Sequence, residues 1–265
     1  MNAEQPIAVS TAGLSVTLGP RPVLAGIDFA MARGEVVGLL GPNGAGKSTL
    51  IRALAGQVAF DGSIAIEGRD QHDLTADARS RIVAHLPQGR MIAWPLAVET
   101  VVGLGRLPWR GFAGRGDADG ARACREAMEL ADVTHLAGRP ATALSGGEQA
   151  RVLAARAIAQ ATPVLLADEP VAGLDPAHQM SLMLAFRRIA ARGRAVLVSL
   201  HDLTLAARWC DRVVVLHDGR IAADGAPASV LTADLLERVF DILVRLDHDE
   251  CGPILTPIGL SADRE

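Results

Sequence analysis

The sequence predicts an α/β fold, in which a parallel core sheet carries an N-terminal antiparallel β subdomain and an inserted helical subdomain. Three observations support this prediction. Short apolar runs alternate with helical segments after glycine or proline breaks, which is typical of a parallel sheet. Two long segments near the N-terminus alternate polar and apolar residues. From about Gly89 the pattern changes, and within this part "GLGRLPWRGFAGRGDADG" is rich in glycine and arginine and indicates a loop.

The first elements follow from residue periodicity. "IAVSTAGLSVTL" and "VLAGIDFAMARG" alternate with a period of two, so we expect antiparallel strands, and "GSIAIEG" adds a short one. "GEVVGLL" is an apolar run that enters a glycine-rich loop. "STLIRALAG", which follows that loop, has the spacing of a helix.

The later elements continue the alternation. "RIVAHLPQ" predicts a strand that stops at Pro87, and "ARACREAMELADV" predicts an amphipathic helix in the inserted part. "TPVLLADEP" and "RAVLVSLHD" predict buried parallel strands. The segment between them, "PAHQMSLMLAFRRIAARG", predicts a helix that ends at a glycine.

We therefore expect one domain over residues 1–265. Residues of about 1–88 and 157–223 would form the core with its β subdomain, and about 89–156 the helical subdomain. Residues of about 224–265 would add a helix and a β-hairpin, with strands "DILVRL" and "GPILTPI". The tip of that hairpin groups five residues with metal-ligating side chains, so it is either a turn or a metal site: Asp247, His248, Asp249, Glu250 and Cys251.

Composition excludes several classes of protein. The net charge of −4 argues against a general nucleic-acid binder. Three widely spaced cysteines indicate a reducing compartment without a disulfide framework. The opening residues lack the basic and apolar regions of a secretory signal, and no apolar run approaches the ~18 residues of a membrane span.

The only lysine of the chain lies in a phosphate-binding motif. Gly41, Gly46, Lys47 and Ser48 fit the pattern G-x-x-x-x-G-K-[ST] between a predicted strand and a predicted helix. The backbone N–H groups and the helix N-terminus would surround phosphate oxygens. A compact ammonium on a flexible stem fits that cradle, whereas a planar guanidinium is too wide, which explains a lysine in a chain with 25 arginines. The candidate nucleotide-binding residues of the loop are Gly41, Pro42, Asn43, Gly44, Ala45, Gly46, Lys47, Ser48 and Thr49.

Two acidic residues end the strand "VLLA". Asp168 would help to hold a Mg²⁺ ion together with Ser48, and Glu169 would polarise the attacking water. This pair fits the Walker B motif that accompanies a phosphate-binding loop.

"LSGGEQ", residues 144–149, decides between families. Ser145 and Glu148 form a capping-box pattern, yet a capping box needs no glycines, and Gly146 and Gly147 cost helix stability. The glycines make sense if another group must approach the backbone closely. Here the chain resembles the ATP-binding-cassette ATPases, whose signature motif has this sequence and this place in the chain.

The resemblance covers nearly the whole chain and implies further roles. Gln88 matches the glutamine that senses Mg²⁺ and the attacking water, Asp175 matches the acid of the D-loop, and His201 matches the histidine that reaches the γ-phosphate. Lys47, Gln88, Glu169 and His201 are then the expected catalytic residues, with ATP and Mg²⁺ as cofactors. Ser145, Gly146, Gly147 and Asp175 would serve the nucleotide of a second copy, because such cassettes act as head-to-tail dimers.

One position departs from the family. An aromatic residue usually stacks on the adenine about two dozen residues before the lysine, and "LSVTLG" places Leu18 there. Either adenine binding is weaker and less selective here, or the true position is displaced by a residue or two.

The resemblance also implies a role. "WPLAVETVVGLGRLPW" and "HDLTLAARWCDRVVVLHDGRIAADGAPASVL" resemble the subfamily that imports iron–siderophore complexes, haem or cobalamin. The expected partners are a second copy, an integral membrane permease and, indirectly, a periplasmic or surface substrate-binding protein, with no nucleic acid. The expected location is the cytoplasmic face of the inner membrane, as a peripheral subunit. The alternatives are an exporter or lipid-extracting complex, or a soluble cassette acting on DNA or ribosomes.

Overall fold

The structure, a computed structural model, describes residues 6–89, 92–110, 117–250 and 252–261. Besides short 3₁₀ turns, the described residues form twelve strands and nine helices. In chain order they are β1 (Ile7–Leu18), β2 (Arg21–Ala32), β3 (Val36–Leu40), α1 (Lys47–Leu54), β4 (Asp61–Ile66), β5 (Arg69–Asp70), α2 (Ala76–Ser80), β6 (Val83–Leu86), α3 (Val98–Gly103), α4 (Gly120–Leu130), α5 (Gly146–Ala159), β7 (Val164–Ala167), α6 (Pro176–Ala190), β8 (Ala195–Ser199), α7 (Leu203–Trp209), β9 (Arg212–His217), β10 (Arg220–Gly225), α8 (Pro227–Val230), α9 (Ala233–Phe240), β11 (Ile242–Asp249) and β12 (Gly252–Leu260).

The centre of the molecule is a six-stranded sheet in the order β10-β9-β3-β8-β7-β6. Strands β9, β3, β8, β7 and β6 are parallel, and β10 is an antiparallel edge strand. Every residue of β3, β7 and β8 is buried, because both faces of the sheet are covered. The predicted parallel core is confirmed, and the carboxyl ends of its strands meet at one edge.

A second, antiparallel sheet in the order β2-β1-β4-β5 covers one face of the first. Its inward side chains pack with α1 and with core-sheet residues such as Val37 and Leu39 in one apolar cluster. Alternate residues of the same core strand, Val36 and Leu40, face the other cluster. The predicted antiparallel β part is therefore confirmed, and its hairpin of β1 and β2 reaches the glycine-rich loop.

Helices cover the opposite face of the core sheet. Apolar residues of α5, α6, α7 and α9 form one cluster with that face, and α3 and α4 pack on α5. The predicted helix at "ARACREAMELADV" is α4, and the helix after the signature motif is α5. The exact domain boundaries stay a prediction.

The C-terminal part of the described chain contains α8, α9 and the hairpin of β11 and β12. Asp249 lies opposite Gly252, so β11 continues almost to the turn, and its carboxylate accepts a hydrogen bond from Arg208 at 2.5 Å. Within the described residues, no three His, Cys, Asp or Glu side chains are placed to hold a metal ion. Cys251 lies outside the described residues.

Across the four described stretches of chain, no helix combines the length and the apolar character that crossing a membrane would require.

Candidate active site

A cavity of about 350 Å³ opens where the glycine-rich loop meets the β1–β2 hairpin. One end is formed by the loop and the start of α1, and Glu169 contributes from the end of β7. The other end is formed by Leu18, Arg21 and Val23 of the hairpin. The cavity therefore joins a phosphate-binding loop to a wall of hairpin side chains.

At two positions, the backbone conformation and the close surroundings of the loop can be tolerated only by glycine. Gly41 has a φ of 145°, and a Cβ there would lie 2.2 Å from the carbonyl oxygen of Leu216. Gly46 has a φ of 104°, and a Cβ there would lie 2.6 Å from the side chain of Leu24. The glycines are thus required by close packing of the loop on β2 and β9 as well as by its left-handed turn.

Lys47 begins α1 with its side chain inside the loop. Its ammonium is buried and donates hydrogen bonds to the carbonyl oxygens of Gly41, at 2.6 Å, and Pro42, at 3.1 Å. Burial lowers the pKa of Lys47, and the negative charges of Glu169 and Asp168 oppose that shift. The ammonium of Lys47 lies at the cavity with two carbonyl oxygens as its hydrogen-bond partners, so it can bind a phosphate that enters the cavity.

The two acids after β7 have different environments. Asp168 is only 5% exposed, and its Oδ1 accepts a hydrogen bond from the hydroxyl of Ser199 at 2.7 Å. The backbone N–H of Glu169 donates to the same hydroxyl oxygen at 2.8 Å, and Glu169 has a φ of 47°. Ser199 therefore fixes both acids from the neighbouring strand β8.

The carboxylate of Glu169 is held from two sides. The side-chain amide of Gln88 donates to Oε2 at 2.7 Å, and the imidazole Nε2 of His201 lies 2.6 Å from Oε1. Gln88 follows β6 and His201 follows β8, which are the two neighbours of β7 in the sheet. Three adjacent strand ends thus bring together the three residues that the sequence singled out.

The signature residues lie elsewhere on the surface. Ser145 caps α5: its hydroxyl accepts from the N–H of Glu148, and Glu148 accepts from the N–H of Ser145 at 2.7 Å, a bond that lowers the pKa of Glu148. A Cβ on Gly146 would meet nothing within 4 Å. The packing of this chain therefore does not demand that glycine, and the backbone there is open to a group from outside.

One further contact joins the signature to the catalytic edge. The side chain of Gln149 accepts a hydrogen bond from the backbone of Ile92 at 3.4 Å, so the segment after Gln88 is attached to α5. Asp175 caps α6, and a hydrogen bond from the side chain of His178 lowers its pKa. Neither the signature residues nor Asp175 line the cavity of their own chain.

Sequence reasoning missed Ser199, Arg21 and Val23. The register of β7 with β8 places Ser199 beside Asp168, so a buried hydroxyl one strand away was the available signal. Arg21 and Val23 follow from the hairpin register, which pairs Arg21 with Leu18. Leu18, which the sequence singled out, also lines the cavity.

Comparison with known proteins agrees with this geometry. The family described as ABC transporter matches residues 24–172. The chain is 48% identical over 251 residues to the hemin import ATP-binding protein HmuV of Streptomyces coelicolor, covering 94% of this chain and 89% of that one. It is 43% identical to the cobalamin import ATP-binding protein BtuD of Halobacterium salinarum, covering 94% of this chain and 63% of that one.

The fold also matches solved structures. The cassette of a metal-chelate type ABC transporter in an inward-facing conformation superposes with a TM-score of 0.80, at 23% identity, over 96% of this chain and 98% of that one. From the N-terminus, the phosphate-binding loop, the signature motif and the acids after β7 follow one another in this chain. The chain belongs to the ABC transporter family, as one of its ATP-binding cassettes.

Proposed function

We propose that this chain is the ATP-hydrolysing subunit of an importer that takes up a metal chelate of the iron–siderophore, haem or cobalamin type through a separate permease. The observation that carries the enzymatic part is the carboxylate of Glu169, held between Gln88 and His201 at the cavity that contains Lys47. The names of the hemin and cobalamin relatives support the direction and the cargo class.

The phosphates of ATP bind in the glycine-rich loop. Backbone N–H groups of the loop and the N-terminus of α1 would contact phosphate oxygens, and Lys47 would exchange its carbonyl partners for the β- and γ-phosphates. Leu18 lies at the base end of the cavity.

The oxygen ligands of the site fit Mg²⁺. Asp168 uses one carboxylate oxygen to accept from Ser199, and the described residues give the other no hydrogen bond. Ser48 lies at the cavity one residue after Lys47. Hard oxygen ligands of this kind suit Mg²⁺, so we assign Ser48, Asp168 and Gln88 to it. When bound, the ion neutralises charge on the transferred phosphoryl group.

Glu169 has the placement of the residue that orients water. Its carboxylate can accept a hydrogen bond from a water molecule in line with the γ-phosphate, while Gln88 and His201 fix its direction. His201, half-exposed at the end of β8, can reach the γ-phosphate after leaving or sharing its contact with Glu169.

A second copy completes the site. Ser145, Gly146, Gly147 and Asp175 lie outside the cavity of their own chain, and the first two are exposed. The N-terminus of α5 carries a partial positive charge, which favours a phosphate of the facing copy. We propose a head-to-tail homodimer with one nucleotide between each loop and the opposite signature motif.

The remaining partners follow from transport. We propose that integral permease subunits hold the cassette at the cytoplasmic face of the inner membrane, and that a periplasmic or surface binding protein delivers the chelate. An exporter cassette shares this chemistry, so the direction of transport rests on the relatives.

The test is reconstitution. The chain would be reconstituted in liposomes with the permease and the binding protein that co-purify with it, with ATP on the cassette side and haemin, cobalamin or a ferric siderophore on the other. We expect ATP-dependent accumulation of one chelate, and none with Glu169→Gln. ATP-dependent movement out of the cassette compartment, or hydrolysis indifferent to all three chelates, would contradict the import proposal.

A further inference from the structure

The end of the cavity away from the phosphate loop is built by one face of the β1–β2 hairpin. Leu18 and Arg21 are directly opposite each other in the antiparallel register, so their side chains share a face of the sheet. Val23, two residues further along β2, lies on that same face. All three line the cavity.

This face continues directly into the phosphate loop. The carbonyl oxygen of Val23 would lie 3.3 Å from a Cβ on Gly46, and the side chain of Leu24 packs even closer to that glycine. A nucleotide whose phosphates occupy the loop therefore extends its base toward the hairpin.

The chemistry of the hairpin face is unusual for a base-binding wall. No aromatic side chain is among the described residues that line the cavity, and the chain has no tyrosine. Leu18, 39% exposed, offers an apolar edge without a π face. Among the described hairpin residues that line the cavity, Arg21 alone carries a planar π group, its guanidinium.

The guanidinium of Arg21 has no charged or hydrogen-bonding partner among the described residues. The side chain of Arg21 is exposed and takes part in none of their hydrogen bonds, ion pairs or ring contacts, whereas eleven other described arginines form ion pairs with carboxylates. An unpaired guanidinium is weakly hydrated and stacks readily on aromatic rings, including nucleobases.

We propose that Arg21 binds the adenine of ATP, with its guanidinium plane stacked on the base in place of the aromatic side chain and with Leu18 against the base edge. The inference rests on the proposed function, because it needs the nucleotide in this cavity. It assigns the base contact to β2, across the hairpin from the position where the family carries it.

Arg21 could instead contact a phosphate. The two roles predict different effects of Arg21 variants on the binding of ATP and of inorganic triphosphate. A stacking contact needs the base and a planar group. A phosphate contact needs only the triphosphate and a positive charge, which a lysine also supplies.

The experiment measures binding of ATP and of inorganic triphosphate to Arg21→Ala, Arg21→Lys and Arg21→Trp, each made in the intact chain. We expect Arg21→Ala and Arg21→Lys to weaken ATP binding at least about fivefold, the lower end of base-stacking effects. Triphosphate binding should be unchanged, and Arg21→Trp should restore ATP binding. Arg69→Ala is the matched control, because Arg69 is an exposed arginine in the same sheet that does not line the cavity.

The pattern of results separates this inference from the proposed function. Equal loss of ATP and triphosphate binding in Arg21→Ala, with recovery in Arg21→Lys, would overturn stacking in favour of a phosphate contact. Unchanged ATP binding in all three variants would also overturn it. Failure of the wild-type chain to bind either ligand would instead refute the nucleotide site itself.

A second route tests the same assignment from the opposite strand. In the Arg21→Ala background, Leu18→Tyr places an aromatic ring on the same face, so we expect ATP binding to recover at least several-fold. Absence of recovery there, together with no recovery in Arg21→Trp, would show that this face does not contact the base.

Discussion

At the scale of the residue, the lone lysine illustrates how a site selects a side chain. The ammonium of Lys47 lies inside a loop whose closest walls are backbone carbonyls and the neighbouring strands. Its charge is partly desolvated because the side chain is buried, and this burial lowers the pKa of Lys47, so the ammonium favours an incoming anion. A long side chain with a compact cationic end is required at that position.

Lys47→Arg tests whether shape or charge matters there. The substitution keeps the positive charge, but the wider guanidinium cannot enter the loop without displacing its backbone. We expect ATP affinity to fall at least about tenfold, with the thermal midpoint of unfolding nearly unchanged. Isothermal titration of ATP would measure it, and wild-type affinity in the variant would show that charge alone suffices.

Glu169→Gln tests the proposed role in orienting water. The amide keeps the size of the side chain and can still bond to Gln88 and His201, but it loses the negative charge that polarises water. We expect ATP binding to persist and hydrolysis to fall by about 10²-fold or more, so that an ATP-bound dimer accumulates on gel filtration. Near-normal turnover in this variant would contradict the assignment, and Glu129→Gln, at an exposed position of α4 outside the cavity and the signature motif, serves as the control.

At the scale of the element, an ion pair connects the α3 region to the start of α4. The guanidinium of Arg106 binds both carboxylate oxygens of Asp117, at 2.6 and 2.7 Å, and the two side chains are 5% and 9% exposed. Arg106 also donates to the carbonyl of Ala159 at the end of α5 and lies over the ring of Trp109. The pair therefore joins α4 to the C-terminal end of the signature helix.

Asp117→Asn should destabilise the fold by roughly 3–5 kcal/mol, because it leaves a buried guanidinium without its counter-charge. The hydrogen bond and charge of Arg106 hold the pKa of Asp117 below its usual range, so this stabilisation is present above about pH 4 and is lost as the pH falls through the lowered value. Chemical denaturation at neutral and at acidic pH would measure the difference from wild type, which should shrink in acid. Asp119→Asn, in an exposed pair with Arg122, is the control and should cost at most about 1 kcal/mol. Equal costs for the two variants would contradict the assignment.

Much of the architecture could be predicted because the residue pattern that indicates each element lies within one short segment of the sequence. Alternation identified β1 and β2, buried apolar runs identified β3, β7 and β8, and helical spacing identified α1, α4 and α6. The loop lysine and the acids after β7 were found because their spacing is contiguous in the chain.

The remaining features depend on contacts between distant segments. Ser199 fixes Asp168 through the register of two parallel strands, and Arg21 reaches the cavity through a hairpin register with several shifts. Neither register can be read from one segment, since a shift of one residue turns a side chain to the opposite face. The assignment of roles to the site residues, like the domain boundaries, remains a prediction.

At the scale of the whole molecule, one chain holds a phosphate loop and a signature motif that do not meet. The cavity contains no signature residue, and the signature presents exposed backbone to the outside. A head-to-tail pair would satisfy both surfaces, so activity should be shared between copies rather than contained in one.

Mixing two inactive variants tests this sharing. In a mixed dimer of Ser145→Arg with Lys47→Ala, one site has an intact loop and an intact opposing signature, while the other carries both defects. We expect ATP hydrolysis by the mixture to exceed that of either variant alone, measured after differently tagged chains are shown to co-purify. Co-purifying chains with no gain in hydrolysis would argue against sites shared in this way.

The length of the signature helix α5 determines how far its N-terminus moves when the helix tilts. Helix α5 has 14 residues and is therefore about 21 Å long; Arg106 donates to the carbonyl oxygen of Ala159 at its far end, and Gln149 attaches it near its start to Ile92. A tilt of about 10° around the far end would displace its first turn by about 4 Å, more than the reach of a hydrogen bond. In the proposed head-to-tail pair, a small rotation of α5 would therefore be enough to bring its N-terminus to a phosphate of the facing copy or to remove it, and a push on Ile92 would pass to α5 through Gln149.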